Sequence, residues 1–172
     1  MSKSNSINTQ SELEFVISRI YNAPRKLVFK VWTKAEHLML WWGPKGFSMM
    51  SCKIDLKPGG VFHFGMRASN GSEMWGKWVF REIAEPERLV FVSSFSDREG
   101  AIAPAPFNID WPLEVLSTVT FSEYEGKTTI NMRATTINAS EAQMKTFESM
   151  FESMRNGWKG TLDQLEEYLA KA

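Results

Sequence analysis

Few residues in this chain have the side-chain types that do chemistry. The histidines are His37 and His63, and the single cysteine is Cys52. Such groups can hold zinc or pair as nucleophile and base, but no two of them have the short spacing of a zinc motif. His37 sits in an aromatic helical segment and reads as a hydrogen-bonded structural histidine or a ligand contact. Lys53 adjoins Cys52 and could lower its thiol pKa. Consecutive strand residues point to opposite faces, however, so Cys52 reads as a quiet buried thiol. No serine lies in a Gly-x-Ser-x-Gly elbow. Among the acids, Asp55 precedes "LKPGG" and is read as fixing that turn. Glu73 and Asp110 are expected in solvent, and Glu114 has no partner fixed by spacing. We assign no catalytic residue, no metal and no cofactor. Gly-x-Gly-x-x-Gly and Walker patterns are missing from the sequence, which removes the common phosphate cradles.

What stands out instead is apolar. Seven tryptophans, twelve phenylalanines and ten methionines exceed what a core of this size needs. Methionine adapts to irregular shapes, so an interior rich in it can accept a guest. The set Trp41, Trp78, Phe80, Phe151, Met154 and Trp158 is the candidate lining of a ligand cavity. Trp42, His37, His63 and Trp75 extend the candidate set. One polar contact to fix a ligand would come from His37, Trp75, Lys77, Arg81 or Tyr124, as strand register decides. Plain core filling and an exposed partner-binding patch are the competing accounts.

These residues need elements to position them. "LEFVISRIYNAP" alternates and stops before Pro24, predicting a strand from about Glu14 to Tyr21. Pro24 suits the first turn of a helix whose apolar face is Leu27, Val28, Val31 and Trp32. Thr33 and Glu36 are spaced for a capping box on a second short helix carrying Leu38, Trp41 and Trp42. Gly43-Pro44 ends it. The texture then turns to strands, with turns at Pro58-Gly59-Gly60, Asn70-Gly71, Glu85-Pro86 and Glu125-Gly126. In "VFHFGMR", Phe62, Phe64 and Met66 share one face, and His63 and Arg67 the other. "SDREGAIAPAPFNIDWP" is the longest expected loop, its prolines excluding an interior strand. Met144, Phe147, Phe151, Met154, Trp158, Leu162, Leu165 and Leu169 recur at steps of three and four. They predict one long amphipathic helix with Ser140 as N-cap. Gly157 and Gly160 interrupt its propensity and are read as making room.

Strand, two short helices, about six strands and a long helix make an α+β order. An antiparallel sheet with a greasy face needs a cover, and the long helix supplies it. A length of 172 residues suits one domain with a real core. We expect a flexible arm over residues 1–12 and a single domain over 13–172. Twenty basic residues balance twenty acidic ones, so no charge excess draws the chain to nucleic acid or an anionic membrane. No run approaches a membrane span and the polar N-terminus resembles no signal peptide, making the cytoplasm the expected location and membrane insertion unexpected.

The ordered set of motifs resembles a known family. "APRKLVFKVWTKAEHLMLWWGP" places Pro24, Trp32, His37, Trp41 and Trp42 where it keeps such residues. Asp55, Pro58, Gly59, Gly60 and Gly71 follow, then "PERLVF", and finally "NGWKGTLDQLEEYLA" with Gly157 and Trp158. The family is that of the activator-of-heat-shock-protein-90-ATPase-like domains, in the helix-grip superfamily with START lipid-binding domains and birch-pollen-type allergens. The resemblance implies a curved antiparallel sheet of six or seven strands wrapped around the long C-terminal helix, with a cavity between and two short helices after the first strand. It carries no catalytic set. Non-catalytic binding of a small hydrophobic or aromatic molecule is the leading expectation. A stress-related protein-interaction module and a small cyclase, dehydratase or hydrolase are the alternatives, and a homodimer is compatible with all three. In this setting "WTKAEHLMLWWGPKG" is a structural plug first and a lip of the cavity second.

Overall fold

The computed structural model describes residues 14–43 and 45–171. The expected arm over 1–12 and Pro44 lie outside the described residues. The chain runs β1 (Phe15–Tyr21), α1 (Arg25–Thr33), α2 (Ala35–Trp41), β2 (Phe47–Ile54), β3 (Val61–Ala68), β4 (Glu73–Ala84), β5 (Arg88–Phe95), β6 (Val115–Tyr124), β7 (Lys127–Thr136), α3 (Glu141–Ser149) and α4 (Phe151–Lys171). The strands form one seven-stranded sheet in the order β1-β7-β6-β5-β4-β3-β2. Every neighbouring pair is antiparallel. This is the helix-grip arrangement.

Alternation decides which side of the sheet is wet. On β7, Thr128, Ile130, Met132, Ala134 and Thr136 are buried while the intervening residues are not. On β6 the buried set is Val115, Ser117, Val119 and Phe121. These period-two patterns stack across the ladder into one concave apolar face. Irregular pairing between Phe80 and Glu82 on β4 and between Met49 and Ser51 on β2 interrupts the register, as bulges that bend a sheet do.

The opening aromatic segment becomes the centre of the core. Trp32 is 1% exposed, and its ring meets those of Trp41, Trp42, Trp78, Phe121 and Trp158 at centroid separations of 5.5 to 6.4 Å. Trp41 donates its indole N–H to the Val31 carbonyl at 2.9 Å, tying α2 back onto α1. Thr33 does not cap α2. It is the last residue of α1, and its hydroxyl donates to the Phe29 carbonyl at 2.8 Å. The backbone four residues earlier competes successfully for that hydroxyl, leaving Lys34 as an N-cap without a side-chain bond.

The turns are built by backbone. Gly59 takes φ +84° and donates to the Phe80 carbonyl at 2.8 Å. At Gly60 a Cβ would stand 2.0 Å from the Asp55 carbonyl oxygen. Asp55 thus shapes this turn through its main chain, which also accepts from Lys57 N at 2.9 Å, while its carboxylate pairs with Lys57 at 3.5 Å.

The expected single C-terminal helix is two. Ser140 caps α3 through a complete capping box with Gln143, but the helix stops at Met150 and resumes as α4. Ser149 donates its hydroxyl to the Thr146 carbonyl at 2.8 Å, and Met150 N reaches only three residues back, to the Phe147 carbonyl at 3.2 Å. A tightened turn with a back-bonded serine breaks the regular ladder. Gly157 and Gly160 stay inside α4 without interrupting it. α4 is fixed to β1 by Tyr21, whose hydroxyl donates to the Leu162 carbonyl at 2.9 Å, and by Arg19, which meets Asp163 at 2.5 Å and Glu166 at 2.7 Å.

A cavity between the sheet and the long helix

Between the concave face and α4 lies a cavity of about 350 Å³. Within-strand alternation aims Phe64 and Met66 of β3, Met74 and Trp78 of β4, Phe91 and Ser93 of β5, Val115 and Ser117 of β6, and Met132 and Ala134 of β7 at it. α4 adds Met154, Gly157, Trp158 and Thr161, one turn apart as a helix face requires. Trp42 and Gly43 enter from the segment after α2, and Trp111 from the long loop after β5. Four methionines therefore border the space without filling it. Trp78 is backed by Phe91, stacked at 3.8 Å with 12° between the planes, so the aromatic wall is rigid.

Polar side chains aimed into the cavity are sparse and none is charged. Ser93 donates weakly to the Val115 carbonyl at 3.4 Å, and Thr161 to the Gly157 carbonyl at 3.3 Å. Ser117 is 5% exposed, and its hydroxyl has no hydrogen bond among the described residues. The buried indole N–H groups of Trp42 and Trp32 likewise have no acceptor among them. Lys77, Trp75 and Ser94 also border the cavity, but alternation assigns their side chains to the convex face.

Of the ten candidates from the sequence, Trp42, Trp75, Trp78, Met154 and Trp158 border the cavity. The other five do not. Trp41 and Phe80 are buried in the core behind it. Phe151 packs edge-on against Phe15 at 5.8 Å and Phe147 at 5.3 Å. His37 pairs its Nδ1 with the Tyr168 hydroxyl at 2.6 Å, joining α2 to α4. His63 faces the convex side, where it stacks on Trp75 at 5.3 Å and pairs its Nε2 with the Asp97 carbonyl at 3.2 Å. The proposed polar contacts are also placed elsewhere: Arg81 and Tyr124 are exposed, and the Trp75 N–H donates to Glu73 Oε1 at 3.0 Å. Phe64, Phe91, Phe95, Trp111, Met132 and Ser117 were not singled out by sequence reasoning. The signal that locates the strand members is cross-strand register, since Ser117 stands opposite both Phe91 and Ala134.

Titration shifts fall outside the cavity. Glu73, expected free in solvent, accepts from Trp75, from Arg67 at 3.0 Å and from Arg98 at 2.8 Å. Those bonds, Trp75's foremost, hold its carboxyl at about 2. Burial pushes the Cys52 thiol up to about 11. Among the described residues no group of three or more His, Cys, Asp or Glu is placed to hold a metal. No described helix is long and apolar enough to cross a membrane.

A curved antiparallel sheet gripping a C-terminal helix over an apolar hollow defines the helix-grip class. The sequence matches the family described as Activator of Hsp90 ATPase homolog 1-like protein over residues 22–170, and the chain belongs to that family. Solved structures agree. A protein from Nitrosomonas europaea is 27% identical with a TM-score of 0.72, covering 93% of this chain and 96% of its own. A protein from Arthrobacter aurescens is 25% identical with a TM-score of 0.74, covering 93% of this chain and 87% of its own. At 24% identity, a Mycobacterium smegmatis protein shares the fold with a TM-score of 0.72 over 91% of this chain and 90% of its own. No curated protein matches the chain.

Proposed function

We propose that this protein binds a small apolar or aromatic molecule between the sheet and α4, as a carrier or sensor without catalysis. The observation that carries this reading is the cavity of about 350 Å³ bordered by Trp42, Trp78, Trp158, Phe64 and four methionines. Its volume lies within the range of small-molecule sites. Burial of apolar ligand surface at roughly 25 cal/mol per Å² supplies the affinity. The enzyme alternative would need a base facing the cavity, and His63, the histidine among the candidate lining strands, belongs to the opposite face. Native mass spectrometry of gently purified protein, followed by extraction, tests the binding reading. A co-purifying small molecule near one equivalent supports it. Protein that stays empty after exposure to saturating apolar aromatics overturns it.

One observation favours a protein-interaction role as a second reading. Ile102, Phe107, Ile109 and Leu113 are 45 to 79% exposed on the loop between β5 and β6, beside the cavity-bordering Trp111. Clustered exposed apolar residues of this kind mark contact surfaces. Replacing Phe107 and Ile109 by serine abolishes partner capture if this loop is the contact, and leaves it unchanged if it is not.

A further inference from the structure

We infer that the cavity selects an uncharged ligand bearing a hydrogen-bond acceptor, and discriminates against carboxylates and quaternary ammonium compounds of the same shape. The inference rests on the binding reading above and adds the ligand's chemical class.

The argument begins with what the concave face lacks. The polar side chains it brings to the cavity, with those of α4 and the loops, are Ser93, Ser117, Thr161 and the indoles of Trp42, Trp78, Trp111 and Trp158, all neutral. Lys77 is the one titratable residue at the border, and its register with His63 sets it on the convex face. Arg19 of β1 is held by Asp163 and Glu166, and Arg155 of α4 donates to the Val16 carbonyl at 2.9 Å and lies over the Phe15 ring. A carboxylate entering this space would lose its hydration and meet no counter-charge, which burial penalises heavily. A cation would gain ring faces but find no carboxylate to neutralise it.

What the face offers is one free hydroxyl, able to donate. Ser117 projects from near the start of β6 between Phe91 and Ala134, 5% exposed and unbonded among the described residues. Buried donors without partners are uncommon in folded proteins, and a bound acceptor relieves them. A carbonyl, ether or ring nitrogen on an apolar aromatic frame meets both demands. Adaptable contacts from Met66, Met74, Met132 and Met154 tolerate variation in the rest of that frame.

Four probes of one shape separate the possibilities: 2-acetylnaphthalene, 2-ethylnaphthalene, 2-naphthoate and (2-naphthylmethyl)trimethylammonium, titrated calorimetrically into the full chain. The ketone is expected to bind about tenfold or more tighter than either charged probe. It should exceed the hydrocarbon by about fivefold, one net hydrogen bond. Ser117→Ala should remove that advantage and leave the hydrocarbon unchanged. The wild-type series stands even if the variant folds poorly, which its thermal melt reports. Equal or tighter binding of a charged probe, or a ketone no better than the hydrocarbon, overturns the inference while leaving the binding reading intact. Failure of all four to bind overturns both.

Discussion

The indole of Trp75 lies flat across Gly65 of the neighbouring strand: a Cβ at Gly65 would come within 2.6 Å of its ring atoms. On the opposite face, Phe64 covers Gly76 in the same way, at 2.8 Å. The two pairs are adjacent in register, so the sheet carries an aromatic cap over a glycine on each side at the same place. Trp75 cannot simply swing away. His63 stacks on it, Arg98 lies 5.4 Å over its ring, and Glu73 holds its N–H.

Gly65→Ala should therefore cost about 1–3 kcal/mol, the range for forcing a methyl into filled space. In a Trp75→Ala background the same change should cost nearly nothing, giving a strongly non-additive cycle. Thermal or urea unfolding of the four proteins checks this. Additive costs would mean that Trp75 does not hold the space over Gly65.

Glu73 predicts an acid limb. Its folded carboxyl, held at about 2, lies below its ordinary 4.5. The stability it adds is present above 4.5 and is lost as the pH falls toward 2. Glu73→Gln should flatten the melting temperature over that window, with little change in its slope above pH 6. An unchanged acid limb in the variant would assign it to other carboxylates.

Cys52 predicts the opposite sign. Burial holds the thiol at about 11, above its ordinary 9. The folded state thus prefers the protonated form, an advantage complete below pH 9 and lost as the pH rises through 11. Because the thiolate is the nucleophile, iodoacetamide at pH 8 should label folded protein far more slowly than protein in denaturant. Equal rates would show that the thiol is not shielded.

Gly157 offers a way to alter the cavity without disturbing the core. It borders the cavity from α4, and a Cβ there meets nothing within 4 Å. Gly157→Ala should raise stability by about 1 kcal/mol through helix propensity alone. Gly157→Leu should fold as well but weaken binding of 2-acetylnaphthalene. Full affinity in the leucine variant would remove this part of α4 from the site.

Much of the architecture was legible because period-two strands and glycine turns write it directly. The inward set Phe62, Phe64 and Met66, the turn at Asn70-Gly71 and the Ser140 cap all follow from local rules. The features that escaped depend on competition or on distant partners. Thr33 had a cap within reach, yet its hydroxyl bonds inside its own helix. The apolar periodicity across Met150 is unbroken, so only the hydroxyl of Ser149 marks the interruption. Glu73 looks solvent-facing until Arg98, 25 residues away in sequence, is brought beside it. The cavity wall from β5 to β7 needed register between strands, which no single strand contains.

The strand order also bears on how fast the chain can find this structure. From β2 to β7 every strand pairs with its sequence neighbour, so these six can zip together in sequence order, the loop over residues 96–114 being the longest closure among them. Only β1 must travel, since Phe15 aligns with Ala134. The long closure entropy of the whole topology thus falls on one event. Substitutions in the β6–β7 hairpin should slow refolding, whereas disruption of the Arg19 pair with Asp163 should mainly speed unfolding. The groove proposed to receive a ligand would exist as a half-pipe before the helix that roofs it is fastened down.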